Sequence, residues 1–141
     1  MQLEALADVE LTYASIEVID YGAGGQIYGT MDGSLSGGRL NGSIRLTNLA
    51  PRRPDNVNLP TLRGVLETED GAVVWVEIDG IALLREADDA RVFVASFRCR
   101  TGDERYAWLN TTFAVIEGVL DRVAVGGAAR GRVHACSATV T

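Results

Sequence analysis

The chain has 141 residues, of which 47% are hydrophobic and 23% are charged, so it suits one domain with a real core and not a disordered chain. Its formal net charge is −6. That charge argues against nucleic acid or an anionic membrane surface as the main partner, because both attract clustered basic residues. The first residues carry no basic n-region, and no apolar run approaches the ~20 residues of a membrane-spanning helix. We therefore expect a single cytoplasmic domain over residues 1–141, without a signal peptide.

Alternation with period two recurs along the chain, whereas no segment of helical length shows a period of 3.6. In chain order, the alternating segments are residues 9–13, 43–47, 93–99, 109–115, 123–125 and 133–137. Asp-Gly and Asn-Gly pairs lie between many of them and favour tight hairpin turns, because both positions tolerate positive φ. Strands that meet at turns every ~8–12 residues indicate an antiparallel sandwich or barrel.

Several strands are apolar on both faces, as in residues 73–76. A closed sheet has no exposed edges, and about eight strands leave room for one small ligand. We therefore predict an all-β fold, a single closed antiparallel β-barrel, whose outer apolar face meets a helix or a second subunit in a homo-oligomer. Residues 50–60 contain all three prolines and are predicted to form a long loop, of the kind that often covers a binding site.

Two cysteines, Cys99 and Cys136, and one histidine, His134, are the only soft metal ligands. Their spacing lacks the close pairs of a zinc site, so no metal is expected and reduced thiols are the simpler interpretation. A disulfide would require the two cysteines to lie on neighbouring strands. Residues 22–25 lack the strand-turn-helix context of a nucleotide site, and no cofactor is expected.

Residues 101–110, TGDERYAWLN, hold the densest group of polar and aromatic side chains. Tyr106, Trp108 and Asn110 occupy alternate positions, so we expect them to share one strand face and line the barrel interior. Ala107 and Leu109 would then point away. The side chain of Asp103, in a Gly-Asp turn, is expected to cap backbone N–H groups.

This decapeptide, preceded by the alternating residues 92–98, resembles the T-G-D-x-R-Y-x-W-L-N signature of the bacterial domain-of-unknown-function (DUF) family 3237. Residues 31–42 resemble the glycine hairpin of that family, and residues 62–72 resemble its next strand and turn. The resemblance implies a barrel of calycin or allene-oxide-cyclase type with an axial cavity. Similar small barrels act as cofactor-free cyclases, isomerases or lyases on hydrophobic metabolites, and some family members are associated with breakdown of aromatic compounds.

The chain departs from the family pattern in three places. The alignment of Asp55 with the family's aspartate is open, Gly64 replaces a tyrosine, and residues 134–141 replace the usual V-Y-x-V ending. These departures are typical of a specialised subgroup with an altered site.

Four residues are candidates for catalysis. Arg63 could make a bidentate contact to a carboxylate or enolate, and Tyr106 could donate a hydrogen bond or a proton. Asn110 could donate to a developing oxyanion. Glu77 could act as a general base if it lies inside the barrel, where burial would raise its pKa. The alternatives are a solvated or ion-paired arginine, a glutamate on the outer face and an amide that stabilises a turn.

Aromatic side chains suit a pocket for planar apolar ligands, and tryptophan adds a polar N–H. Trp75, Trp108 and Phe97 are therefore candidate substrate-binding residues, with core packing as the alternative. His134 joins them, with a structural role as its alternative. The leading hypothesis is a cofactor-free enzyme that cyclises, isomerises or cleaves a hydrophobic small molecule. A non-catalytic binding barrel and a filled scaffold barrel remain open.

Overall fold

The protein, described over residues 1–141 by a computed structural model, consists of nine β-strands and one 3₁₀ helix. The strands are β1 (Gln2–Gly22), β2 (Gly24–Ser36), β3 (Gly42–Asn48), β4 (Pro51–Arg52), β5 (Thr61–Thr68), β6 (Val73–Arg85), β7 (Ala90–Arg100), β8 (Phe113–Leu120) and β9 (Ala128–Ser137). The helix, Glu104–Thr111, connects β7 to β8. No helix of this fold has the length and apolar character needed to cross a membrane.

Eight of the strands form one closed antiparallel barrel. The sheet order is β1-β9-β8-β7-β6-β5-β3-β2-β4, and the pairing of β1 with β2 closes the ring. β4 pairs only with β2 and lies outside the ring. The barrel predicted from the alternation is therefore confirmed, with one additional short strand.

Side chains alternate between the barrel interior and the outer surface, as the strand pleat requires. On β7, Phe93, Ala95, Phe97 and Cys99 point inward and are buried or half-buried, whereas Val94 points outward. Inward positions of the eight barrel strands, together with Leu40 and Leu109, form a single core cluster of 24 buried residues. The core is continuous around the barrel wall, so each strand is held by apolar contacts as well as by its ladder of hydrogen bonds.

Glycines let neighbouring strands approach closely inside the wall. Gly118 of β8 lies opposite Gly131 of β9. A Cβ atom on Gly118 would lie 2.3 Å from the carbonyl oxygen of Arg130, and one on Gly131 would lie 2.1 Å from that of Glu117. Both distances are below van der Waals contact, so any side chain here would force the two strands apart.

Residues 101–110 close one end of the barrel. The predicted strand face for Tyr106, Trp108 and Asn110 is wrong, because Glu104–Thr111 is a 3₁₀ helix and β8 begins only at Phe113. Asp103 caps the helix as expected, since its carboxylate accepts a hydrogen bond from the Arg105 backbone amide at 3.0 Å. The predicted orientation of Leu109 is also wrong, because this side chain is the one that enters the core.

Residues 50–60 cover the opposite end and are called the cap segment below. This segment is more ordered than the predicted loop. Asn58 and Ala82 of β6 exchange two backbone hydrogen bonds of 3.1 and 2.9 Å, and Leu59 donates to the carbonyl of Pro51 at 2.9 Å. The end that it covers lies near Ala90, at the start of β7, whereas the 3₁₀ helix follows Arg100. At ~3.3 Å per residue, about 30 Å of strand separates the two ends.

The cysteines lie on strands that are not neighbours. Cys99 is on β7 and Cys136 on β9, with β8 between them, and both are free thiols. Cys99 points inward, and burial raises the pKa of its thiol to about 12. It is therefore a packing residue that stays protonated at neutral pH.

The outer face of β6, β7 and β8 carries an outer apolar patch of Ile81, Leu83, Val92, Val94 and Val119. The strand register places Ile81 opposite Val94, Leu83 opposite Val92, and Val92 opposite Val119. Val94 is 55% exposed and Leu83 is 49% exposed. Contiguous apolar surface of this kind is typical of sites where proteins associate. The homo-oligomer predicted from the sequence remains a prediction.

Candidate functional site

An apolar cavity lies inside the barrel beneath the cap segment. It has a volume of about 60 Å³, and 13 of its 17 lining residues are hydrophobic. The walls come from both sides of the barrel and from the cap, and include Leu11, Met31, Ala50, Pro60, Leu62, Ile78, Phe93, Ile116 and Leu120. Because a single buried water needs ~10–15 Å³ by this measure, the cavity has room for several waters or one compact ligand.

Tyr13 places a hydrogen-bond donor in this apolar wall. The Asn48 amide Nδ2 donates to the Tyr13 hydroxyl oxygen at 2.9 Å, and Asn48 Oδ1 accepts from the Thr61 backbone amide at 3.3 Å. The tyrosine oxygen accepts in this contact, so its own proton is left for a ligand. Burial raises the pKa of Tyr13, and the phenol therefore stays protonated at neutral pH.

Arg91 adds a positive charge to the same cavity. Its side chain is buried, and its guanidinium donates to the carbonyl oxygen and the Oδ1 of Asn56 in the cap segment. Burial, followed by the nearby charge of Arg52, lowers the pKa of Arg91. The backbone of Asn56 adopts a left-handed φ of 66°, which points both acceptors of the residue toward one guanidinium.

Asn58 completes the polar side of the cavity. Its Oδ1 accepts from Arg52 Nε at 3.0 Å, whereas its Nδ2 has no protein acceptor. Because no fully inaccessible side-chain polar atom lacks a partner, the Asn58 Nδ2 keeps some accessible surface. The residue is 4% exposed and is one of those that line the cavity.

The polar side chains of the cavity wall can bind a ligand, but none of them is a general base. Tyr13, Asn48, Asn58 and Arg91 are the polar residues of the wall, and no carboxylate, histidine or cysteine lines it. Such a site can bind and polarise an oxygen atom, but none of its side chains is a general base at neutral pH.

The strand alternation places three predicted residues on the outside of the barrel. Trp75 and Glu77 share one face of β6, as expected, but the buried residues Val74 and Val76 show that the inner face is the other one. Arg63 lies opposite Glu77 on β5, also facing outward. It forms a bidentate ion pair with Asp79, at 3.1 Å for both contacts, and lies 3.6 Å from Glu77. These three residues therefore do not reach the cavity.

Three further predicted residues lie in the 3₁₀ helix that closes the other end of the barrel. Asn110 binds both backbone groups of Thr101, accepting from its N–H and donating to its carbonyl, each at 2.9 Å. The Tyr106 hydroxyl donates to Asp70 at 2.9 Å, and burial, with the Asp70 carboxylate, raises the pKa of the phenol. Trp108 packs against the core, with the Arg39 guanidinium 3.9 Å above its ring. These contacts hold the turn and the helix in place.

An open depression beside this helix includes Asn110 and Phe113. Its volume is about 690 Å³, but only three of its ten lining residues are hydrophobic and it opens to solvent. Both polar groups of the Asn110 side chain are already used on Thr101, so they are not free to polarise a ligand there. The cavity beneath the cap segment is the better candidate, because binding sites for small molecules are concave and mostly apolar.

Phe97 and His134 also lie away from the cavity. Phe97 is fully buried in the core. His134 is half-buried on β9, where it pairs with Ala5 and Val115 on the face opposite to the buried Val133. Neither of these neighbours is a candidate catalytic residue.

The sequence did contain a signal for the residues that were missed. Tyr13 continues the inward alternation of Val9 and Leu11, and Asn48 continues that of Ile44 and Leu46. Arg91 likewise shares the parity of the inward residues of β7. A polar side chain in register with an apolar face is thus the pattern that identifies this site.

Solved structures of several proteins resemble the whole fold. A protein of unknown function from Clostridium acetobutylicum ATCC 824 is 20% identical, with a TM-score of 0.79 over 97% of this chain and 100% of the other. A beta-barrel like protein from Acinetobacter baumannii AYE is 21% identical, with a TM-score of 0.80 over 95% and 94%. A protein described as an enzyme from Penicillium herquei is 20% identical, with a TM-score of 0.69 over 94% and 93%. At these identities the likeness supports the fold alone.

No curated protein matches the sequence significantly. The sequence model of the family described as "Protein of unknown function (DUF3237)" matches residues 1–126. The match includes the glycine hairpins, the cap segment and the helix of residues 104–111, together with all four polar residues of the cavity. This chain therefore belongs to the DUF3237 family of small β-barrel proteins.

Proposed function

We propose that the protein binds a hydrophobic small molecule in the axial cavity and promotes a rearrangement of it there without a cofactor. The observation that carries this proposal is the mostly apolar cavity with four polar side chains on its wall. Sites of that composition bury the body of a ligand and use few polar groups to orient it. The fold likeness to a protein described as an enzyme gives secondary support.

The reaction best suited to the cavity takes place within one molecule. Confinement in a dry cavity selects a reactive conformation, and a fixed donor stabilises negative charge that develops on oxygen. The Tyr13 hydroxyl and the Asn58 amide supply neutral donors, and Arg91 supplies a charged one. A cyclisation, an isomerisation or an elimination from a substrate that needs no strong protein base fits this set.

Turnover and mass spectrometry test the proposal. Ligands that copurify with the protein are identified by native mass spectrometry, and candidate compounds are incubated with it and analysed for an isomer or elimination product. With a substrate in hand, Tyr13→Phe is expected to lower kcat about 100- to 1000-fold, the usual effect of losing one donor to a developing oxyanion. Tyr28→Phe is the matched control, because Tyr28 is 58% exposed on the outer surface. Equal loss in both variants, or in neither, would contradict the role of Tyr13.

Binding without turnover is the second candidate function. The observation that favours it is the lack of a general base in the cavity wall. A binding barrel predicts a ligand that is retained through purification and recovered unchanged after long incubation. Recovery of a product with altered connectivity would exclude this alternative.

A further inference from the structure

Arg91 differs from the other arginines of the chain in its electrostatic surroundings. The arginines that lie within 4.0 Å of a carboxylate are Arg39, Arg45, Arg53, Arg63, Arg85, Arg100, Arg105 and Arg132. Each of these is at least one-third exposed at its side chain. Arg91 has no carboxylate partner, although it is only 5% exposed and a buried charge is costly without one.

A buried cation without a counterion is costly, because desolvation is not offset by an opposite charge. The two hydrogen bonds to Asn56 satisfy two of the five N–H groups of the guanidinium. The surroundings add positive charge, since Arg52 is near enough to lower the pKa of Arg91. Arg52 also lacks a carboxylate partner, and its Nε is hydrogen-bonded to Asn58.

The unused donors belong to residues that line the cavity. Arg91 and Asn58 both line the cavity, and the Asn58 Nδ2 has no protein acceptor. The Tyr13 phenol proton is unused on the same wall. Residues with two unused neutral donors and one uncompensated charge thus line a mostly apolar space, which suits a molecule with an apolar body and one anionic oxygen group.

We infer that the ligand of this cavity is a small carboxylate, whose carboxylate contacts Arg91 and Asn58 and whose apolar part lies against Met31, Phe93 and Ile116. The inference rests on the proposed function and narrows it to a substrate class. The cavity volume of about 60 Å³ favours a compact body. A longer carboxylate would require the cap segment to move. Because Arg91 is hydrogen-bonded to Asn56 of this segment, such a movement would also alter the contacts of the Arg91 guanidinium.

A structural role for Arg91 is the competing explanation. The residue would then only fasten the cap segment to the barrel through Asn56. Both roles predict that a substitution alters the cap, so stability alone does not separate them. They differ in charge selectivity, because a fastening residue affects a carboxylate and its neutral isostere alike.

Binding of matched ligand pairs separates the two roles. Isobutyrate and isobutyramide, and then benzoate and benzamide, are titrated into the protein at fixed ionic strength by calorimetry or ligand-observed NMR. The wild-type protein is expected to prefer each carboxylate over its amide. Arg91→Met is expected to weaken carboxylate binding about 10- to 100-fold, as for loss of charge-assisted hydrogen bonds, and to change amide binding less than about threefold. Arg130→Met, at an exposed arginine that also lacks a carboxylate partner, is expected to change neither.

A second measurement keeps the test independent of whether Arg91→Met folds. In the wild-type protein, carboxylate binding should weaken as the pH falls below the pKa of the ligand, while amide binding stays constant. Equal affinity of acid and amide, or equal weakening of both by Arg91→Met, would overturn the carboxylate inference and leave the proposed function intact. Failure of every pair to bind would also overturn it. The proposed function itself fails separately, if no copurified or added small molecule of any charge occupies the cavity.

Discussion

Leu109→Ala tests whether residues 101–110 act as a plug for the barrel end. Leu109 is 3% exposed and belongs to the core cluster, although its neighbours in the helix are exposed or half-buried. Truncating a buried leucine to alanine costs about 2–5 kcal/mol. The helix is short and its end can relax, so we expect a loss of about 3 kcal/mol of unfolding free energy. For a domain of this size, that corresponds to a decrease in Tm of about 10–15 °C.

The assay is denaturant and thermal unfolding followed by tryptophan fluorescence, with Leu3→Ala as the matched control. Leu3 is 55% exposed, so its truncation should cost less than about 1 kcal/mol. Ligand binding in Leu109→Ala should stay within about twofold of wild type under conditions where it is folded, because Leu109 does not line the cavity. A cost below about 1 kcal/mol for Leu109→Ala, or a selective loss of ligand binding, would refute the plug interpretation.

Three further outcomes follow from the same structure. Tyr13→Phe should cost about 1–3 kcal/mol of unfolding free energy, because it leaves the buried Nδ2 of Asn48 without an acceptor; an unchanged Tm would contradict the contact. Under native conditions a thiol reagent should modify the half-buried Cys136 readily and Cys99 only on unfolding, since burial raises the pKa of Cys99 to about 12; equal rates would refute this. Val94→Arg in the outer apolar patch should convert an oligomer to monomer in sedimentation experiments, and a wild-type monomer at all concentrations would exclude the predicted homo-oligomer.

The sequence was sufficient for the architecture because strand alternation and turn chemistry are local signals. The wall of the barrel follows from apolar residues at every second position and from Asp-Gly and Asn-Gly turns between them. Which face of a strand points into the barrel depends on the packing of the whole fold and is not a local signal. For β6 both faces are rich in large side chains, so Trp75 and Glu77 were compatible with either side until Val74 and Val76 were found buried.

Residues 101–110 show where alternation misleads. Leu109, Thr111 and Phe113 have the spacing of a strand, but the Asp103 cap and the clamp from Asn110 to Thr101 favour a compact helical turn. The dense group of polar and aromatic residues therefore marks a connection held by side-chain hydrogen bonds. The proposed site depends instead on residues distant in sequence, since Tyr13 and Arg91 come together only when the barrel closes.

A crystal structure with a bound carboxylate, soaked or copurified, would show whether the axial cavity is the binding site. We predict density inside the barrel beneath the cap segment, with a carboxylate oxygen within ~3 Å of the Arg91 guanidinium and the apolar part against Phe93. A ligand in the open depression beside Asn110, with the axial cavity empty, would contradict it.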